Sequence, residues 1–139
     1  VLSLCWLPVS KAANIDNIKI KVHGLRSKKG RVIVLIDDNE KSFETLTEKD
    51  SYGIIVIVPK NKKIDIIINP VELGKYAITV IHDENHNGKL DTNFLGIPTE
   101  GIGFSTPITL SDDIKFKDIA IEKTSKELDV IIGVTYWRL

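Results

Sequence analysis

Between residues 83 and 91 the chain reads DENHNGKLD, a run whose residue types and spacing suit an ion. Asp83, Asn85, Asn87 and Asp91 put side-chain oxygens at the first, third, fifth and ninth loop positions, with Gly88 at the sixth. Alternation of this kind lets several oxygens converge on one hard cation, usually Ca²⁺, while the glycine permits the sharp turn between them. The Lys89 carbonyl is the expected backbone ligand, and Glu100 is the most attractive distant carboxylate. With two carboxylates at ligand positions the expected affinity is weak, on the order of 10⁻⁴–10⁻³ M, as in extracellular modules. An EF-hand is excluded: Phe94 stands where that motif needs a bidentate Glu, and Lys75–His82 before the loop alternates like a strand. The competing reading is a metal-free polar turn. Asn87-Gly88 is a strong turn dipeptide by itself, and Asp83 or Asn85 can bond loop amides in Asx-turns.

His82 and His86 flank Asp83 and raise an enzymatic alternative. It is a metal-dependent hydrolase in which Asp83, Asp91 and Glu100, with either imidazole, surround a metal-bound water. A spacing of four at a strand-to-loop transition does not put both rings on one face, as it does on a helix. HExxH, GxSxG and a Cys–His pairing are all missing from the sequence. The expectation is therefore two surface histidines in a turn and no catalytic residue.

The elements that must position this loop are short and β-branched. Ile18–His23 alternates strictly, which predicts a strand with one buried face. Arg31–Asp37 and Tyr52–Val58 are apolar on both faces, as central strands are; Ile64–Ile68, Lys75–His82, Phe116–Glu122 and Leu128–Trp137 follow. Together they predict an all-β, Ig-like antiparallel sandwich of about seven strands. Asn39–Glu48 is the one expected helix, with Phe43 and Leu46 pinning it to the sheet. Residues 83–113 form a long ordered loop. Within it the Gly- and Pro-rich run Asn93–Ser105 predicts tight turns, with Phe94, Leu95, Ile97 and Phe104 covering the end of the core.

Nineteen Lys and Arg balance nineteen Asp and Glu, so the chain has no long-range pull on phosphate backbones, and nucleic acid is not an expected partner. The basic clusters at Arg26–Lys29 and Lys60–Lys63 read as solvated turns. The apolar run to Val9, ending in Ser10-Lys11-Ala12, reads as the C-terminal part of a signal peptide over residues 1–12 whose true start is missing. Cleavage there removes Cys5, the single cysteine, and leaves one sandwich domain over residues 14–139. No later segment is apolar enough to be a transmembrane span.

Three stretches of this sequence resemble the hallmark of the bacterial domain-of-unknown-function family 2141. They are Gly74–Ala77, then His82–Asn85 with Asn87–Asp91, and the whole Asn93–Ser105 run. The resemblance implies an exported β-sandwich of the transthyretin or Ig-like kind and supplies no catalytic residue. His86 departs from it, since Gly is common at that place, and a side chain there makes the loop backbone less free. The resulting expectation is an exported, periplasmic or secreted binding or structural module. Its partner would be a glycan, a peptide or another envelope protein, met by the loops at one end of the sandwich.

Overall fold

A computed structural model of the protein describes residues 17–46, 49–69, 71–109 and 113–137. The expected signal peptide and Cys5 lie outside the described residues. Eight strands and two short helices follow in the order β1 (Ile18–His23), β2 (Arg31–Asp37), α1 (Glu40–Thr45), β3 (Gly53–Ile57), β4 (Ile64–Ile68), β5 (Gly74–Asp83), β6 (Gly101–Phe104), α2 (Phe116–Ile119), β7 (Ile121–Lys123) and β8 (Leu128–Gly133). They form an all-β sandwich of two sheets. One sheet is ordered β4-β1-β8; the other is ordered β3-β2-β5-β6, with β7 also paired to β5.

Alternation sets the faces. Ile18, Ile20 and Val22 of β1 point inward, while Lys19, Lys21 and His23 point to solvent. Val32, Val34 and Ile36 of β2 and Tyr76, Ile78 and Val80 of β5 meet them from the other sheet and complete the main core. The opposite faces of β2 and β5 are buried too. Ile33, Leu35 and Ile81 lie under Leu46, Ile54 and Leu90, and Ala77 lies under Phe43 and Ile119. β2 and β5 are therefore apolar throughout, because helices and loop cover the outside of their sheet.

Three expectations need correction. Gly101–Phe104 is a strand, β6, paired to β5 from His82↔Gly101 to Thr79↔Phe104. Its two glycines hid the β pattern. A side chain at Gly101 would collide with Val134 and Tyr136, and one at Gly103 would lie 2.6 Å from the Gly133 carbonyl oxygen. The expected strand Phe116–Glu122 divides into α2 and the three-residue β7, so the described residues hold two helices rather than one. The pairing is also not wholly antiparallel, since β1 runs parallel to β8 in the register Ile18↔Leu128 to His23↔Gly133.

α1 forms because the Asn39 side chain accepts the Ser42 amide at 3.0 Å, and it stops at Leu46 in the left-handed region. Beyond β8 the chain crosses to the other sheet, where Thr135 exchanges backbone hydrogen bonds with Ile102 at 2.9 and 3.0 Å. That bridge fastens the two sheets together along the β6 side.

Candidate functional site

β5 runs on past the core, and its last residues His82 and Asp83 are fully buried. Antiparallel register places Arg31, the first residue of β2, opposite Asp83. The Arg31 Nε donates to Asp83 Oδ2 at 2.8 Å. The loop then folds back over the same carboxylate: Asn87 N donates to Oδ1 at 3.1 Å and Gly88 N to Oδ2 at 2.9 Å. Burial pushes the Asp83 carboxyl up, but Arg31 and the two amides outweigh it and hold the carboxyl below its ordinary range. The fold-back requires left-handed backbone at His86 (φ 60°) and Gly88 (φ 78°). His86 thus carries a side chain where a residue without one is at ease.

Glu100, nearly buried just before β6, forms a second clasp. Its Oε1 accepts Glu84 N at 3.1 Å and its Oε2 accepts Asp91 N at 3.2 Å, so it ties both ends of the loop. Burial raises its carboxyl above the usual range, and the charges of Asp91 and Asp83 add to that. The third carboxylate, Asp91, is half-exposed and receives the side-chain amides of Asn85 (2.6 Å) and Asn87 (2.6 and 2.7 Å). Lys89 sits on the exposed rim, its amide donating to Asn87 Oδ1 at 3.2 Å.

Asp83 and Glu100 face inward onto backbone amides, whereas Asn85 and Asn87 are exposed, turn their side-chain nitrogens to Asp91 and keep their oxygens on loop amides, so the loop is ordered by hydrogen bonds among its own groups. Among the described residues no group of three or more His, Cys, Asp or Glu side chains is arranged to hold a metal ion. Any cation here would depend on Asp91 and Glu100 together with amide and carbonyl oxygens. A half-turn of the Asn85 and Asn87 amides would present oxygen in place of nitrogen. The donor set is all oxygen, which suits a hard cation, but Arg31 already supplies positive charge at Asp83.

Both histidines were expected at the surface, and one is not. His86 is exposed, whereas His82 is buried, with Nε2 2.8 Å from the Lys29 carbonyl and Nδ1 2.5 Å from the Tyr136 hydroxyl. A carbonyl only accepts, so Nε2 carries the hydrogen and, in the neutral ring, Nδ1 accepts from Tyr136. Both nitrogens are thereby engaged away from the loop. Tyr136 also accepts the Arg26 amide at 3.2 Å, and the Arg26 guanidinium lies 4.5 Å over its ring while bonding Glu84. Arg26, read as part of a solvated turn, is exposed but braces the loop. Arg31 and Tyr136 escaped sequence reasoning because only pairing between distant segments brings them to Asp83 and His82, and the role of Glu84 did because its partners Arg26 and Ser27 lie far off in sequence.

The tip of the loop departs most from expectation. Thr92 and Pro98 form a β-bridge, and Asn93 Oδ1 accepts Leu95 N (2.9 Å) and Ile97 N (3.0 Å). Gly96 N adds a bond to the Asn93 carbonyl at 3.0 Å. On this turn Phe94 is 95% exposed and Leu95 67% exposed. They do not cover the core; Phe104 does, beside Ala77 and Ile119.

Fold and loop together define a two-sheet β-sandwich that presents a hydrogen-bonded loop from one strand end. The chain belongs to the DUF2141 family of uncharacterised proteins conserved in bacteria, whose sequence profile matches residues 20–130. No curated protein and no solved structure matches it. Among the described residues no helix is long and apolar enough to cross a membrane.

Proposed function

We propose that this protein is an exported, non-catalytic binding module whose recognition element is the turn carrying Phe94 and Leu95. The observation behind this reading is the near-complete exposure of Phe94, with Leu95 exposed beside it, on a turn held by the Asn93 side chain. A large apolar side chain held rigidly in water loses little conformational entropy when it docks, which is the property of an interface anchor. An aromatic ring also stacks on sugar faces, so glycan, peptide and envelope-protein partners all suit the tip. Export rests on the apolar run that ends at Ser10-Lys11-Ala12. The finer fold assignment, Ig-like or transthyretin-like, belongs to this same reading, since loops at sandwich ends are where such folds bind.

Ca²⁺ enters the proposal as a weak brace of the loop, held by Asp91, Glu100, Asn85, Asn87 and the Lys89 carbonyl, with Asp83 fixing the backbone. The charges that raise Glu100 favour a cation in their midst. The hydrolase alternative draws no support from this geometry. Asp83 and Glu100 face loop amides, and His82 bonds Tyr136 and Lys29.

Two measurements test the proposal. A photo-crosslinking residue replacing Phe94 in the producing bacterium should give one dominant adduct, lost on Leu95→Ser, whereas the same residue at exposed Lys41 gives none. Equal or absent labelling at both positions defeats the anchor reading. Calorimetric titration should give Ca²⁺ binding on the order of 10⁻⁴–10⁻³ M with a higher melting temperature. Asp91→Ala should abolish both while the apo fold persists, and a melting curve unchanged in millimolar Ca²⁺ removes the ion.

A further inference from the structure

Three connections leave the same end of the sandwich. The registers Val22↔Ile64, Val32↔Ile57, Arg31↔Asp83 and His82↔Gly101 put there the β1–β2 turn (24–30), the β3–β4 turn (58–63) and the loop 84–100. The two turns are neighbours, since β3 pairs with β2 and β4 with β1. The first turn also holds the root of the loop, the Lys29 carbonyl meeting His82 and Arg26 meeting Glu84. Lys28, Lys29, Lys60, Lys62, Lys63 and Lys89 are exposed on these connections, and among the described residues none of them is in an ion pair. The acids at this end do not cancel them. Asp83 and Glu84 are already held by Arg31 and Arg26, Glu100 is nearly buried, and Asp91 is half-exposed. The balanced charge of the whole chain therefore hides a basic end. Phe94, Leu95 and Val58 stand exposed on the same connections.

We propose that this end docks on an anionic lipid surface, with the lysines over headgroup phosphates and Phe94 and Leu95 entering the boundary with the acyl chains. Lipid is then the partner of the Phe94–Leu95 turn, which rests on the reading of that turn as the recognition element. Lysines spread over two turns act as separate point charges and suit many laterally mobile phosphates, whereas one fixed anion calls for arginine forks. Each lysine within about a Debye length of an anionic bilayer is drawn by its surface potential. The exposed apolar side chains gain by leaving water, and a bilayer offers them that where a soluble polyanion does not. A nucleic acid would ask for aromatic rings among the lysines, and the two turns contain none.

Cosedimentation of the full chain with vesicles tests this. Vesicles of mixed phosphatidylglycerol and phosphatidylcholine should retain the protein at low salt and release most of it at ~1 M salt, where screening acts within about 3 Å. Pure phosphatidylcholine vesicles should retain far less. Lys28→Gln, Lys60→Gln and Lys62→Gln should each weaken partitioning about fivefold, with unchanged circular dichroism. Phe94→Ser/Leu95→Ser should weaken it about tenfold or more while leaving retention on immobilised polyphosphate as it was. Binding that ignores the Lys variants or is equal on neutral vesicles, as insertion of the apolar stretch up to Val9 would give, overturns the proposal. Binding that polyphosphate matches and the Phe94/Leu95 variant leaves unchanged overturns it too, in favour of a soluble polyanion. If vesicles are not bound but a crosslinker at position 94 still yields its dominant protein adduct, lipid is overturned and the anchor reading stands. Loss of both signals defeats both.

Discussion

Asp37 and Asp83 lie on the same outer face of the larger sheet, both without solvent exposure, and they act on stability in opposite directions. Asp83 has Arg31 and two amides, so its charged form is favoured in the fold. That contribution is present above the unfolded carboxyl range near ~4 and is lost as pH falls through its lowered folded value. Both carboxyl oxygens of Asp37 are buried, and among the described residues no group lies in hydrogen-bonding geometry to them. Burial pushes its carboxyl up, the nearby Ser51 and Ser42 hydroxyls pull it down, and the Asp38 charge raises it again, for a net rise. Its cost is absent below the unfolded range and grows as pH rises towards the folded value. Asp37→Asn should therefore stabilise the protein at pH 7, by about 1 kcal/mol, and the gain should vanish near pH ~4. Calorimetric melting at the two pH values checks this. The sequence made Asp83 legible as an inward-facing loop residue because alternation and Gly88 announce the turn. The exposure of Phe94 was not legible, since whether an apolar loop residue packs depends on where the turn points.

At the level of elements, the strands that could be read directly were those rich in β-branched residues. β1, β2 and β4 begin and end where alternation and turn residues place them. β6 was missed because its glycines serve close approach: Gly103 passes against the backbone of Gly133, so the signal that normally marks a turn marks a tight crossing instead. Gly103→Ala should accordingly destabilise the fold by about 2 kcal/mol, since the added methyl meets backbone that cannot yield. Gly53→Ala is the control. Its methyl would meet only the Ile36 side chain, at 3.6 Å, so denaturant unfolding should show little change or a small gain. The candidate site divides in the same way. Its loop residues were read from spacing, while Arg31, Arg26 and Tyr136 arrive through strand pairing that no local pattern encodes.

For the molecule as a whole, the pairing of β1 with β8 joins the first described strand to the last. Strand patterns identify strands but not their neighbours, so this parallel contact was invisible in the sequence. β8 contributes Val130 and Ile132 to the main core, and the residues after it carry the Ile102–Thr135 bridge and the Tyr136 hydroxyl on His82. A chain ending at residue 127 should therefore lack a cooperative thermal transition, as measured by near-ultraviolet circular dichroism. The same contact governs timing. During synthesis the smaller sheet has no third member until β8 has been made, so β1 and β4 must wait for Leu128–Gly133. Closing so long a loop is slow, which makes this parallel pairing a late event in folding.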